Sequence, residues 1–576
     1  MCFICILIQL FLFNNEINIH IIKRINMKML KLLIAIVLIF STIEAQTMKT
    51  AFINGKVYTV DEDQPLAQAV VVDGNKIVFV GANEDAKKLI DASTEVIDLK
   101  GKLMLPGFID NHVHFITGGF YLLGIDLRLA NSTTEFKKIL KDYSQKNPGK
   151  WITGGYWDHE KWEVKDLPTK EMIDEAVPES PVFVERLDGH MAVANSYTLK
   201  LAGITKDTES PDGGLIVKDP KTGEPTGVLK DNAMYLITKL IPEPSAEENY
   251  EALLAALDEA KKLGITSVQD ITFNDALTAF KQAKAEEKLT CRIYTRWPIS
   301  DYKDHVEKNI KVGYGDDLIR MGSLKAFADG SLGSSTAWFF DRYDQDTLTT
   351  GLAMDIITDG SMEKWCMDAD KNHLQLSVHA IGDRANSYML DLFEKITKVN
   401  PKWDRRFRLE HAQHVRFEDI PRFAKLGVIA SVQPYHCIDD GVWAEKRIGP
   451  ERIKYTYPFK SFLDAGVKIC FGTDWFVAPL NPLLGLYAAV TRRTLDDKNP
   501  DGWIPEQIIS VEDAIKCYTI NSAYASFEEN IKGSIEVGKL ADLIVLSDDI
   551  LTIDPVKIKD AKVEMTIFDG KIIFKN

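Results

Sequence analysis

His112 and His114 stand two residues apart in Leu105–Phe115, LPGFIDNHVHF. In a strand, side chains at i and i+2 leave the same face. Both imidazoles, with Asp110, would therefore point one way, close enough for the histidines to share a divalent cation. Three further groups of the same chemical kind close apolar runs downstream: His379 in LQLSVHAIGD, His411 in FRLEHAQH and Asp474 in ICFGTDW. Imidazole nitrogen plus carboxylate is a donor set for zinc and related first-row divalent ions. The HxH pair alone is unspecific; five such groups at expected strand ends are not. His305, His373 and His436 carry no such context and read as surface or core residues.

Lys325, in GSLKAFADGSLGS, is open to several readings. It could pair with an acid, contact a phosphate beside the glycine-rich loop, or act as a desolvated amine nucleophile. A lysine cation beside a metal ion would be repelled. A carbamylated Lys325 would instead be an anionic oxygen ligand, able to bridge two metals.

These groups need a scaffold that brings strand ends together. From Lys49 short alternating strands run with turn dipeptides Asn54-Gly55 and Asp73-Gly74, and the C-terminal stretch repeats the style around Asp569-Gly570. Both ends are expected to build one small β-sandwich, residues 47–104 and 531–576. Between them a helix–Gly–strand phrase recurs. PSAEENYEALLAALDEAKKLG has a capping-box start at Ser245 and Glu248 and a helix-ending Gly264, and ITSVQD follows. FAKLG–VIASVQP and FLDAG–VKICFGTD repeat it, and DADKNH–LQLSVHAIGD varies it with Asn372 near the turn. Strands alternating with helices, and nearly all apolar, predict a parallel sheet covered on both faces. The expected fold is α/β, a (β/α)₈ barrel over residues 105–530 with its site at the C-terminal strand ends. Residues of about 132–231, rich in Gly, Pro and Trp, break the rhythm and read as an inserted subdomain or lid.

The chain has 576 residues with a net charge of −15, which argues against nucleic acid as a partner. A small-molecule substrate is expected, and homo-oligomerisation stays open. Residues 1–46 read as leader and secretory signal, with a basic start at Met27–Lys31, an apolar run to Phe40 and small residues up to Ala45. Export to the periplasm or the exterior is expected, with no membrane attachment after cleavage; an N-terminal anchor is the alternative. Cys291, Cys366, Cys437, Cys470 and Cys517 are dispersed and read as buried thiols.

Taken in order, LPGFIDNHVH, KAFADGSLGSSTA, SVHAIGDRAN, RLEHAQHV, FGTDWFVAPLNP and GSIEVGKLADLIVL resemble the blocks of the amidohydrolase superfamily. WDHEKW, PVFVERLDGHMAVANS and PDGGLIVKD resemble its YtcJ-like branch. The resemblance covers the chain from about Lys49 onward. It implies a distorted (β/α)₈ TIM barrel with a terminal β-sandwich and one or two divalent metals, zinc first. His112, His114 and Asp474 would hold one metal, His379 and His411 a second, and carbamylated Lys325 would bridge them. Asp474 would take the proton of a metal-activated water and pass it to the leaving nitrogen. His190 in LDGH is the candidate contact for the substrate carbonyl or oxyanion, or else a structural hydrogen bond within the lid. Trp157 and Trp475 would wall the pocket or simply pack, and Asp110 would orient the ligands. The implied activity is hydrolysis of non-peptide carbon–nitrogen bonds in N-acyl, N-formyl or cyclic amides. The alternatives are an esterase or isomerase on the same metal site, and a non-catalytic binding barrel.

Overall fold

Eight parallel strands enclose the middle of the chain: β1 (Phe108–Val113), β2 (Ile265–Ile271), β3 (Arg292–Pro298), β4 (Ile319–Phe327), β5 (Gln375–Ala380), β6 (Arg408–His411), β7 (Ile429–Val432) and β8 (Ile469–Phe471). The computed structural model describes residues 49–576 except 160, 161, 164, 165, 187–190, 212, 213 and 274. The leader and signal expectations, and His190, lie outside the described residues. Each strand pairs in parallel with its successor from β1 to β8. Just beyond their ends β8 and β1 meet, with Asp474 N donating to His112 O at 2.7 Å and His114 N to Trp475 O at 2.8 Å. Those two bonds bring the ring nearly to closure, as expected of a distorted TIM barrel.

The helix–Gly–strand phrases fold as their sequences dictate. Helix α1 (Ala246–Lys262) begins in a complete capping box of Ser245 and Glu248. Gly264 then adopts a φ of +75°, which lets its carbonyl accept Phe108 N at 3.0 Å and start the β1–β2 ladder. Gly427 and Gly466 make the same left-handed exits before β7 and β8. Ahead of β5 the left-handed residue is His373, one past Asn372. The strands that follow are buried on both faces, β2 along its full length.

Strands from both chain ends share one sheet, in the order Lys571–Lys575, Val563–Phe568, Leu543–Leu546, Leu103–Pro106, Lys56–Tyr58 and Leu66–Ala67. A second sheet, from Lys49–Ile53, Ala69–Asp73, Lys76–Gly81 and Glu95–Asp98, packs on it through Phe52, Val70, Met104, Leu543 and Ile567. Arg292 at the start of β3 ties barrel to sheet through a two-pronged pair with Asp542, at 2.6 and 2.9 Å. The stretch with no βα rhythm carries a six-stranded sheet of its own. It starts at Ile125–Asp126, ahead of the expected 132, and ends at Pro225–Asp231. Trp157 and Trp162 are buried in its core.

Candidate active site

The contact between β1 and β8 sets the first part of the site. Asp110 Oδ1 accepts Thr473 N at 3.0 Å and His112 N at 3.2 Å, and its Oδ2 accepts Thr473 Oγ1 at 2.5 Å. One buried carboxylate therefore clamps the backbone before Asp474 onto the backbone of His112. Asp474 has a φ of 57°, His411 of 69° and Ala412 of 40°. Left-handed backbone at such residues costs about 1–3 kcal/mol each and persists only where surrounding bonds fix it. Here the strain turns the side chains of Asp474 and His411 over the barrel mouth.

His112 Nε2 and His114 Nε2 each lie 3.5 Å from Asp474 Oδ1. Donor atoms of His112, His411 and Asp474 all fall within 4.8 Å of one another. His411 Nδ1 is buried with no hydrogen-bond partner among the described residues. The His379 ring sits 4.5 Å from that of His411, with its Nε2 donating to Gly330 O at 3.0 Å. Lys325 Nζ packs over the Phe327 ring at 4.7 Å. All six predicted ligand residues line a single cavity of about 350 Å³. The structure thus brings the strand-end residues together, with one difference in grouping: the tightest cluster joins His411, rather than His114, to His112 and Asp474.

Electrostatics favour neutral imidazoles with free lone pairs. Burial, with Lys325 nearby, pushes His379 down to about 4 and His112 well below its ordinary value, and burial drives His411 the same way. Burial also pushes the Lys325 ammonium down to about 7, against the opposing pull of Glu410. Glu410 itself would be raised by burial, but Arg296 and Arg408 hold it well below the usual carboxylate range. Both guanidiniums pair with Glu410 Oε1 at 2.9 Å, and Ser431 Oγ donates to Oε2 at 2.6 Å. That oxygen also meets His112 Nδ1. The hydrogen on Nδ1 is thereby fixed and Nε2 is aimed at Asp474, the arrangement by which carboxylates orient metal-binding histidines.

Glu410 and its arginines escaped the sequence reading. The available signal was RLEH itself, whose alternate residues Arg408 and Glu410 point into the barrel. His436, which by sequence reads as a surface or core residue, instead lines the cavity with Nε2 4.0 Å from Asp474 Oδ2. It sits in the first turn after β7, where Gln433-Pro434 ends the strand and opens a helix. His305 and His373 stay outside, against Trp297 and Trp403. Trp157 does not wall the pocket: its Nε1 donates to Val184 O at 2.8 Å inside the inserted sheet. Trp475 is likewise packing, against Phe115. Trp443 lines the cavity instead. The five cysteines are buried and free, as expected.

A sequence model described as "Amidohydrolase family" matches residues 95–574. Protein LONG AFTER FAR-RED 3 of Arabidopsis thaliana is 38% identical over 508 residues, covering 86% of each chain. Putative amidohydrolase YtcJ of Bacillus subtilis is 32% identical, covering 92% of this chain and 100% of its own. N-substituted formamide deformylase of Arthrobacter pascens is 27% identical, covering 91% and 98%. Among solved structures, an uncharacterized metal-dependent hydrolase from Pyrococcus horikoshii superposes with a TM-score of 0.75 at 30% identity, over 88% of this chain and 99% of its own.

Proposed function

The chain belongs to the amidohydrolase family and is an enzyme acting on carbon–nitrogen bonds; from that premise we propose that it is a metal-dependent hydrolase of small N-acyl, N-formyl or cyclic amides. The observation that carries the reading is the convergence of His112 Nε2 and His114 Nε2 on Asp474 Oδ1, each at 3.5 Å. The similarity to a deformylase of N-substituted formamides supports the choice of amide. A cavity of about 350 Å³ suits a substrate of modest size.

The residues fit a divalent ion, zinc first. His411 Nδ1 is a buried nitrogen without a hydrogen-bond partner among the described residues, and His112 is held in the tautomer that presents Nε2. His112, His114, His411 and Asp474 would hold one ion. His379 and Lys325 would serve a second, with Lys325 carbamylated. A lysine near pKa 7 exposes the neutral amine that adds carbon dioxide. When bound, such an ion acts as a Lewis acid and lowers the pKa of water. The protein's own part is acid–base and positional. Asp474 accepts the proton of the attacking water and delivers it to the leaving nitrogen, so that the amide departs as acid and amine. Asp110 keeps Asp474 in register with His112, and Glu410 keeps His112 turned towards it. Outside the described residues, His190 remains the proposed contact for the substrate carbonyl, and residues 27–45 the proposed export signal.

Metal analysis of purified protein, joined to a panel of matched formamides, acetamides, lactams and esters, tests the reading. Bound divalent metal and preferential amide turnover are expected. Metal-free protein with undiminished activity refutes metal dependence, and turnover of esters alone refutes the amide assignment.

A further inference from the structure

His436 approaches the other carboxylate oxygen of Asp474 from the one that His112 and His114 face. Those two face Oδ1, whereas His436 Nε2 lies 4.0 Å from Oδ2. That gap is too long for a hydrogen bond. It is the span that one oxygen atom bridges when it lies about 2.8 Å from each end. His436 Nε2 has no partner among the described residues, although the atom is buried and such groups are rarely left unpaired. The side chain is only 17% exposed. Its ring lies 6.4 Å from that of His411 and within 22° of parallel. The helix bearing it opens with Pro434 straight after β7, so the ring stands on a rigid element.

We propose that His436 is a further catalytic residue, whose Nε2–H holds the attacking water against Asp474 Oδ2. The inference rests on the amide-hydrolase reading above. The water would accept a hydrogen bond from His436 and donate one to Asp474. Its oxygen attacks the carbonyl carbon, its proton passes to Asp474 and then to the leaving nitrogen, and the carbon–nitrogen bond breaks. His436 fixes the line of attack and the lone pair that makes it, which is positional catalysis.

The test uses zinc-loaded His436→Phe, which keeps a ring but no donor, and His436→Gln, which restores an N–H. His436→Phe should lower kcat about 100-fold with little change in KM, and His436→Gln should recover part of the loss. Zinc content should match the parent in both. Binding of acetohydroxamic acid, which presents a hydroxyl to the same two groups, should weaken about tenfold in His436→Phe whether or not amides are turned over. Parental kcat and parental hydroxamate affinity in His436→Phe overturn the proposal, as does loss of zinc from both variants, which would make His436 a ligand. Parental protein that hydrolyses no amide but loses hydroxamate affinity on His436→Phe counts against the function and for His436.

Discussion

The carboxylate of Glu410 rests against Nδ1 of His112 in the barrel interior, where neither side chain reaches solvent. Two guanidiniums and a serine complete its surroundings, so one buried anion both balances Arg296 and Arg408 and orients a proposed ligand. Glu410→Gln should therefore act twice. Metal affinity should fall about 10–100-fold in competition titrations. Stability should drop by about 3–5 kcal/mol in urea unfolding, because two buried cations lose their partner. Parental metal affinity in a folded Glu410→Gln protein would contradict the orienting role.

Asp474→Asn keeps the shape of the side chain and the backbone bond to His112, but removes the proposed base. The expected result is a loss of about 10²–10⁴ in kcat with parental secondary structure. Circular dichroism and steady-state kinetics on one preparation check both halves. Full activity would exclude Asp474 as the proton acceptor.

Lys325 should respond to carbon dioxide. Dialysis against carbon-dioxide-free buffer should lower activity, and bicarbonate should restore it. Lys325→Ala should be inactive but partly rescued by a short carboxylate such as acetate, which supplies the missing anionic oxygens. Indifference to bicarbonate together with a lysine of unmodified mass would rule out the carbamate.

His414, three residues past His411, makes a separate prediction about pH. It is buried, with Nδ1 on Thr456 Oγ1 at 2.8 Å, and burial, helped by Arg452, pushes its pKa down to about 3. An unfolded histidine titrates near 6.5. Between those values the unfolded chain binds a proton that the folded chain refuses, so this stabilisation is complete above about 6.5 and drains away as pH falls towards 3. The slope is about 1.4 kcal/mol per pH unit. His414→Gln should be less stable than the parent at pH 7, and its urea midpoint should fall less between pH 7 and pH 5. Equal losses in both proteins would show that another group carries the acid sensitivity.

How far the site was legible depends on what each residue reports locally. His112, His114, His379, His411, Asp474 and Lys325 each sit in or just beyond an apolar run, so strand register alone places them at one barrel face. Glu410 and Arg296 meet across the barrel interior from strands β6 and β3, a contact that no local spacing encodes. His436 belongs to the first turn of a helix, where no alternation marks which way a side chain turns. Trp157 was undecided for a different reason: a large aromatic in a glycine-rich stretch suits a pocket wall and a buried core alike, and the pairing of the inserted sheet decides for the core. The capping box of α1 and the glycine exits needed no tertiary information, because their hydrogen bonds close within a few residues.

The sheet that joins both chain ends has a consequence for biosynthesis. Lys56–Tyr58 and Leu103–Pro106 leave the ribosome early, whereas the strand that pairs with Leu103–Pro106, Leu543–Leu546, is made more than 400 residues later. Until then an apolar strand edge waits without its neighbour, the state in which nascent chains associate wrongly. Pairings this distant in sequence also slow folding. The strand Leu543–Leu546 thus acts as a latch of the molecule, and chains cut short before Leu543 should need chaperone protection to stay soluble even with every proposed ligand already synthesised.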